Sequence, residues 1–485
     1  MKIERALQIA KREWRNIRVF LQKISFWRSG VTVVIAVFVI QFCELNSHAQ
    51  STSAQIQELK KQIEAIQQQN QQQIEELRKK IEELEAQKAA DQEKIEELAT
   101  KKEEEDKDAW WKKVEVGYKK LGDGFTIKSK DGLFSLRTRL RTQFQFSIND
   151  TDDEDVATDF NVRRFRLLFD GNAFTPWLLY YLQISADNNG SFSLLDAYFD
   201  FAYNTMFVPR PGQYKVPFNR EFLNSTSELQ LVERSIVNDE FSYSRSRGAS
   251  IYGVLGNFIT YGAGVFNGNG TNGASVDSNM LYAGRIMLTP CCGELKYANS
   301  SFPSGGDYKI EPNFGGNKPL FAIGVAAAGI PGLNIARKVP SGAIEDRFEN
   351  IFGAEDTGTA DVFSLTADAN FKWSIFSIEG EFDYRNISPD ESGFDDVNDY
   401  GVRVQSGIFL IPDFIEIAGR YAQIWYDTDV EGPDTSWQLT PGINFYLSKS
   451  HKYKVQLDYS FIRNEFTDSD DIDENIFRAQ LQLYF

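Results

Sequence analysis

The chain has few of the residues that build metal and redox centres. It contains three Cys and two His among 485 residues, which argues against zinc, haem and Cys–His catalytic sites. After residue 50 it has no apolar stretch of the roughly 18 residues that a membrane-spanning helix needs. The mean hydropathy is only −0.38, which also argues against a helical membrane bundle. The net charge is −17, and an acidic chain disfavours non-specific nucleic-acid binding.

The short motifs of common enzymes are absent as well. No GxSxG, Walker A or HExxH sequence occurs, so we expect no enzyme, no cofactor and no metal site. Aromatic residues, in contrast, are abundant at 14%, with 38 Phe and 20 Tyr, and there are 35 Gly. This composition at low mean hydropathy is typical of a β-rich protein in which apolar and polar residues alternate.

Residues 1–49 have the organisation of a secretory signal peptide. A basic region precedes an apolar run from Val31 to Phe42, and the small residues Ser47 and Ala49 stand at −3 and −1 of a cut after Ala49. A retained signal anchor is the alternative, and the long basic region leaves the true start codon open.

The cysteines favour no redox function. Cleavage after Ala49 would remove Cys43 and leave only the neighbouring pair Cys291–Cys292. One peptide link is shorter than the Cα separation of ordinary disulfides. We therefore interpret this pair as structural.

Residues 50–108 are predicted to form a periplasmic coiled coil. From Gln55 to about Lys107 there is no Gly and no Pro, and Gln, Glu and Lys dominate. Apolar residues at 3-4 spacing form an a/d seam, with a stutter near residues 70–73: Ile56, Leu59, Ile63, Ile66, Ile74, Leu77, Ile81, Leu84, Ile95 and Leu98. A single solvated helix or a partly disordered linker is the alternative to self-association.

After a linker over 109–131, residues 132–485 are predicted to form a transmembrane β-barrel. Apolar and polar side chains alternate strictly in many segments, such as residues 477–485, 453–461 and 136–146. Alternation puts one set on each face of a strand. The polar faces carry many Arg and Gln, which a water-filled lumen solvates and a packed core does not.

Short turns and long polar loops alternate along this region, as expected for periplasmic turns and external loops. They predict an all-β antiparallel barrel of sixteen strands, with eighteen as the alternative. The predicted strands are 132–148, 159–174, 177–187, 193–203, 206–217, 246–256, 257–267, 278–289, 318–330, 361–373, 374–387, 398–411, 413–428, 435–447, 452–466 and 474–485. Sixteen strands leave room for an aqueous channel.

Two connections do not fit the simple pattern. The segment over about 218–245 is long but contains apolar residues and charges of both signs, so we expect it to fold into the barrel and narrow it. The segment 291–317 is expected to be a long periplasmic connection.

Five segments resemble the phosphate-selective porin O and P family in order and spacing. They are Arg163–Gly171, Leu195–Asp200, Gly212–Phe218, Val232–Ser235 and Gly264–Gly268. The resemblance covers about 120–485 and is strongest from 130 to 270. It implies a sixteen-stranded, trimeric outer-membrane barrel whose third loop constricts the pore, with positive side chains that bind and pass anions. Some members carry an N-terminal coiled coil.

The candidate pore-lining residues follow from strand alternation and from this resemblance. Arg137, Arg139 and Arg141 share one face of a strand, and Arg164 and Arg166 share a face of the next. Arg suits this role because its planar fork hydrogen-bonds oxyanions and remains charged. By the resemblance, the candidates at the constriction are Lys215, Arg220 and Arg234.

These residues predict an outer-membrane porin selective for anions, with inorganic phosphate as a candidate solute. Asp170, Asp196, Asp200, Asp458 and Glu416 could instead pair with the arginines and cancel their field, which would give a non-selective porin. A third hypothesis is an envelope tether, in which the coiled coil links the outer membrane to the cell wall. The expected partners are small anions, outer-membrane lipid, two further copies in a homotrimer and, through the coiled coil, the cell wall, with no nucleic acid.

Overall fold

The structure is a computed structural model that describes residues 52–106, 113–118, 122–152, 154–186, 191–273, 278–297, 308, 310–334, 342–353, 358–428, 430–467 and 469–485. The predicted signal peptide lies outside the described residues. The chain divides into two units, Met1–Lys107 and Asp108–Phe485.

The first unit contains one helix, α1 (Thr52–Asp106), of 55 residues. The absence of Gly and Pro lets it run without a break. Where its side chains are described, the apolar seam is exposed: Ile74, Leu77, Ile81, Leu84 and Ile95 have 43–65% of their surface accessible. The helix expected from the sequence is therefore present, and its association into a coiled coil stays a prediction. None of the described helices combines the length and apolar character needed to cross a membrane.

The second unit opens with a hairpin inside the predicted linker. Strands β1 (Val114–Tyr118) and β2 (Phe125–Ser129) pair with each other, and β2 pairs with the start of the next strand through Phe125↔Thr138.

Sixteen further strands form a closed antiparallel barrel. They are β3 (Ser135–Thr151), β4 (Ala157–Asn172), β5 (Leu178–Ala186), β6 (Phe192–Phe201), β7 (Val208–Lys215), β8 (Arg245–Leu255), β9 (Ile259–Phe266), β10 (Leu281–Leu288), β11 (Leu320–Asn334), β12 (Thr359–Trp373), β13 (Phe376–Pro389), β14 (Val397–Ile411), β15 (Ile415–Trp425), β16 (Thr435–Tyr446), β17 (Tyr453–Glu465) and β18 (Ile472–Tyr484). Each pairs with the next in the chain, and β18 closes the ring on β3 through pairs such as Gln480↔Gln145. The predicted sixteen-stranded barrel is confirmed.

Alternation places apolar side chains outside and polar ones inside. On β14, Tyr400, Val404 and Ile408 are 42–45% exposed, whereas Arg403 and Gln405 on the other face are at most 1% exposed. The outer face matches a hydrocarbon environment, and the inner face requires polar partners.

The β6–β7 seam differs from the others. Only two residue pairs, Ala197↔Gln213 and Tyr198↔Gly212, connect these strands. Prolines at 209 and 211 remove N–H donors from β7. Gly212 has φ 139°, and a Cβ there would lie 2.2 Å from the Ala197 carbonyl oxygen, so the close approach requires Gly.

The loop between β7 and β8, residues 216–244, folds into the barrel as expected. It contains α2 (Arg220–Leu223) and α3 (Ile236–Phe241). Its carbonyl groups accept hydrogen bonds from lumen side chains of β3, β16, β17 and β18: Gln143 to Thr226 at 3.2 Å, Asn444 to Gln230 at 2.7 Å, Lys454 to Leu229 at 2.9 Å and Gln482 to Ser227 at 3.0 Å. This loop, called the constriction loop below, therefore crosses the lumen.

The connection between β10 and β11 also enters the barrel. The Glu311 carboxylate accepts hydrogen bonds from the Gln230 backbone N–H at 2.7 Å and from Gln405 Nε2 at 2.8 Å. Phe314 packs against Tyr446 and His451, with ring centroids 4.8 and 5.2 Å away. The expected long connection thus closes over the constriction loop, which alternation could not reveal.

The interior is divided into an apolar and a polar part. Buried apolar side chains from β6 to β14 form one cluster, which includes Tyr214, Phe266 and Met287. Helix α4 (Gly342–Phe352) adds Ile344, Phe348 and Phe352 to that cluster. Buried polar side chains line β3, β4 and β15–β18, and they also occur on β12–β14, as at Asp368, Glu379, Arg385 and Arg403. Apolar side chains therefore fill part of the interior beside β6–β14, and the interior beside β3, β4 and β15–β18 is polar.

Candidate functional site

The predicted arginines of β3 and β4 all lie on the wall that faces the constriction loop. Register places Arg137 opposite Asp170, and Arg141 directly opposite Arg166. Side chains directly opposite in an antiparallel pair have Cβ atoms about 4.5–5.5 Å apart. The barrel therefore holds two guanidinium groups side by side.

Three of the five arginines predicted on β3 and β4 are paired with carboxylates. Arg137 and Arg139 both bind Asp170, the first with Nη2–Oδ2 at 2.6 Å. Arg164 binds Glu233 of the constriction loop, with Nη2–Oε2 at 2.6 Å. Pairing of the kind that would weaken anion selectivity is thus realised at these three arginines.

Other predicted acidic partners are also engaged. Asp196, Asp200 and Asp458 pair with Arg245, Arg210 and Arg478, respectively. Glu416 instead accepts hydrogen bonds from the side chains of Gln230, Asn444 and Tyr446 at 2.7–3.0 Å.

Arg141 and Arg166 have no carboxylate within 4 Å among the described residues. Each uses one nitrogen to bind the constriction loop: Arg141 Nη1 donates to Ser225 Oγ at 2.8 Å, and Arg166 Nη1 donates to Thr226 Oγ1 at 3.0 Å. In the part of the chain that is described, the buried Nε of each has no hydrogen-bond partner. Each guanidinium group therefore has a buried Nε donor that no described group satisfies, on the edge that binds oxyanions.

Lys215 and Arg234 lie beside this pair but face the loop backbone. Lys215 Nζ donates to the carbonyl oxygens of Phe222, Leu223 and Asn224 at 2.5–3.3 Å. Arg234 donates to the carbonyl oxygens of Glu221, Phe222 and Asn224 at 2.8–3.3 Å. Cations at these carbonyl groups stabilise the end of α2.

Coulombic repulsion connects these cations into one cluster. Arg166 experiences the charges of Arg141, Arg164, Arg234 and Arg245. Burial, followed by repulsion from Arg164, lowers the pKa of Arg234 to about 10. We call Arg141, Arg164, Arg166, Lys215, Arg234 and Arg245 the cationic cluster.

Glu233 is the carboxylate inserted into the cluster from the loop. Burial alone would raise the pKa of Glu233, but Arg164 and Arg163 together lower it far below its usual range. Glu233 therefore stays ionised and offsets part of the positive charge.

Aromatic rings stand among the cations. The half-buried Phe222 ring has Lys215 Nζ and Arg234 Cζ each 5.1 Å from its centroid, and Arg245 Cζ at 6.0 Å. Tyr484 lies 5.9 Å from Arg141 Cζ, and its hydroxyl accepts a hydrogen bond from Arg139 Nη1 at 2.8 Å.

Arg220 is held elsewhere. Its Nε lies 3.2 Å from Glu379 Oε2, and its backbone N–H donates to Glu381 at 2.6 Å. The nearby Glu221 carboxylate binds Arg403 and Arg420, each at 3.2 Å. Arg220 therefore fastens the constriction loop to β13 instead of joining the cationic cluster.

Several residues of the site were not among the sequence candidates. Glu233, Ser225, Thr226 and Phe222 all come from the constriction loop, whose path the sequence pattern did not give. Glu233 stands in the segment Val232–Ser235 that carried the family resemblance, and its charge next to Arg234 was the available signal. No group of three or more His, Cys, Asp or Glu able to hold a metal ion occurs in the described residues.

Comparison with known proteins agrees with the fold. The family model "Phosphate-selective porin O and P" matches residues 134–301, which confirms the resemblance over that range. An uncharacterized protein of Aquifex aeolicus (strain VF5) is 23% identical over 303 residues, which are 60% of this chain and 67% of that protein.

One solved outer-membrane channel has the same architecture, and a second solved structure matches at a lower TM-score. The outer membrane channel DcaP of Acinetobacter baumannii is 12% identical, with a TM-score of 0.50 over 74% of this chain and 99% of that chain. A loop L8 deletion mutant of OmpT, an outer membrane protein of Vibrio cholerae, is 7% identical, with a TM-score of 0.48 over 73% of this chain and 100% of that chain. The family match and the closed sixteen-stranded barrel together identify an outer-membrane porin.

Proposed function

We propose that this outer-membrane porin, matched over residues 134–301 by the phosphate-selective porin O and P family, conducts anions past the cationic cluster. The single observation that carries the proposal is the Arg141–Arg166 pair. The two residues are opposite in register, have no carboxylate within 4 Å in the described chain and leave buried Nε donors unpartnered. No catalytic step, cofactor or metal enters the proposal.

Electrostatic energy explains why such a pair attracts anions. Two unit charges about 6 Å apart repel by roughly 3 kcal/mol at an effective dielectric constant of about 20. Like charges directly opposite in a sheet are accordingly destabilising. An anion between the two guanidinium groups is attracted by both, and these two attractions offset the repulsion.

Conduction requires that this attraction remain moderate. Asp170 and Glu233 reduce the charge of the wall at Arg137, Arg139 and Arg164. The result is a short attractive region at Arg141 and Arg166, with partly neutralised arginines on either side. An anion is concentrated there without being trapped.

The test is the reversal potential of the purified protein in planar bilayers under a KCl gradient. We expect anion selectivity in the wild type and a shift toward cation selectivity in Arg141→Gln and Arg166→Gln. Arg463→Gln is the matched control. It removes the same charge from a half-exposed arginine near the end of β17, which pairs with Asp473 near the start of β18 and lies outside the cationic cluster. An unchanged reversal potential in the two pore variants would show a general porin instead.

The family match over residues 134–301 extends the proposal to inorganic phosphate among the permeant anions and to a homotrimer as the assembly. We also propose that α1 associates with copies of itself, since its apolar seam is exposed in the single chain. A self-associated rod is a candidate tether to the cell wall. Both roles are compatible with a conducting barrel.

A further inference from the structure

We infer that the cationic cluster selects organic monoanions, namely carboxylates with an apolar body, over inorganic phosphate. This inference rests on the proposed anion channel and names its substrate class. Three observations carry it: the small number of available donors, the aromatic rings among the cations, and the carboxylates at the rim of the cluster.

The first observation is that most donors of the cluster are already used. The three N–H groups of Lys215 face three carbonyl oxygens. Arg234 has three hydrogen bonds to the same segment. Arg164 and Arg245 face Glu233 and Asp196. A phosphate, which has four oxygens to satisfy, therefore finds only the free edges of Arg141 and Arg166.

A carboxylate fits these two edges better. It has two oxygens in a plane, and one guanidinium edge binds both in a bidentate arrangement. Ser225 and Thr226 hold the opposite nitrogens of Arg141 and Arg166, so the edges that remain are held in place before a solute arrives.

The second observation is the apolar surface within the cationic cluster. Phe222 is half-buried and lies at 5.1–6.0 Å from three cations of the cluster. Tyr181 is half-buried and stacks on Tyr198 with ring centroids 5.3 Å apart. Aromatic rings stabilise an apolar or aromatic body through offset and edge-to-face contacts. They offer a hydrated phosphate no replacement for the water that it must lose.

The third observation is the charge at the rim. Glu233 and Asp196 are carboxylates that remain next to the cluster. They lower the positive potential of the cluster, which attracts a solute in proportion to its charge, whereas the cost of removing water from an ion rises with the square of that charge. A monoanion therefore gains more from the cluster than a dianion such as phosphate near neutral pH.

The experiment compares three anions on the wild-type full-length protein in planar bilayers. Benzoate, acetate and inorganic phosphate are added separately at pH 7.5, and the concentration that halves the chloride current is measured. We expect benzoate to act at a concentration about fivefold lower than acetate, which is the size of one aromatic contact, and phosphate to be the weakest of the three.

Phe222→Ala tests the assignment to the ring. It should abolish the difference between benzoate and acetate, and Phe222→Tyr should restore the difference. The matched control is Phe192→Ala, which removes a ring that is 75% exposed at the first residue of β6. Heat-modifiable mobility in SDS checks that each variant is folded.

The outcomes separate the two levels of the argument. A phosphate block stronger than the benzoate block, in a channel that remains anion-selective, overturns the inference and leaves the anion channel standing. Cation selectivity of the wild type overturns the proposed function itself. Equal block by benzoate and acetate in the wild type also overturns the inference, whatever the variants do.

Discussion

The charge of an individual arginine in this barrel depends on what stands opposite it. Arg139 and Arg141 lie on the same face of the same strand, yet Arg139 binds Asp170 while Arg141 faces Arg166. Two residues of one type and two positions apart therefore contribute very differently to the field. Glu233 changes the field in the opposite direction, because this negatively charged loop residue neutralises Arg164.

Glu233→Gln should make the channel more anion-selective. It releases Arg164 together with Arg163, which share this carboxylate, so that Arg164 stands uncompensated beside Arg141 and Arg166. We expect anion affinity to rise about three- to tenfold because hydrogen bonds between ionised groups are strong. The measurement is the half-blocking concentration of benzoate together with the reversal potential. Since the pKa of Glu233 is far below its usual range, the difference should persist from pH 5 to pH 8.

The control for this variant is Glu240→Gln, which removes a carboxylate from the same loop. Glu240 pairs with Arg385 of β13 instead of the cationic cluster. Equal effects of the two substitutions would mean that only the total charge of the loop matters.

At the scale of elements, strand alternation and loop insertion contribute separately. The strands place polar side chains inward through their period of two. The two inserted segments, the constriction loop and the connection between β10 and β11, then decide which of these side chains reach water. Glu311 joins the two segments through its hydrogen bond to the Gln230 backbone N–H.

The junction at Glu311 should loosen as pH rises. Burial, followed by repulsion from Glu379, raises the pKa of Glu311 to about 7, well above the value of an unfolded chain. A carboxyl group whose pKa is higher in the folded than in the unfolded state stabilises the folded junction at low pH. This stabilisation, up to roughly 3 kcal/mol, is fully present below the pKa of the unfolded chain and is lost as pH rises through about 7. Hydrogen exchange of residues 310–316 should therefore show more opening at pH 8 than at pH 5 after correction for intrinsic rates.

Glu311→Gln should remove that pH dependence, because the amide does not titrate. Glu294→Gln is the control in the same connection, where Glu294 is 63% exposed and pairs with Lys296 at 3.2 Å. If the glutamine variant at 311 kept the wild-type pH dependence, the junction would be controlled by another group.

At the scale of the whole molecule, the barrel combines a packed half with a polar half. The apolar cluster from β6 to β14 resembles the core of a soluble protein, and buried ion pairs such as Arg285–Asp368 and Arg403–Glu379 fill further interior space on these strands. The cations of β3 and β4 lie on the remaining side. The space left for a solute beside these cations therefore depends on how the interior is filled and not on the strand number alone.

Deletion of residues 51–107 tests the role of the helical unit. We expect the truncated protein to retain conductance and selectivity, since the cationic cluster lies wholly within Asp108–Phe485. We also expect loss of self-association of an isolated 51–107 peptide when Leu77 and Leu84 are both changed to Gln, measured by sedimentation equilibrium. A peptide that is monomeric before substitution would exclude the coiled coil. Loss of cell-wall co-sedimentation on deletion, with normal conductance, would support the tether.

The sequence by itself determined the barrel. Alternation with period two, interrupted by turn residues, was enough to locate all sixteen strands, because each strand records its two faces in its own residues. It also placed Arg141 and Arg166 on the inner face, and the mixed composition of residues 218–245 indicated a loop that enters the lumen.

Only the tertiary structure decided which arginines lack a carboxylate partner. The register shift between Gln143 and Gln145 on β3 sets which residues face each other across β3 and β4, and alternation within one strand carries no information about register with the next. Three features depend on contacts between residues far apart in the chain. Arg164 pairs with Glu233, Arg220 binds β13, and Glu311 lies inside the barrel. Such contacts depend on three-dimensional packing and leave no periodic pattern in the sequence.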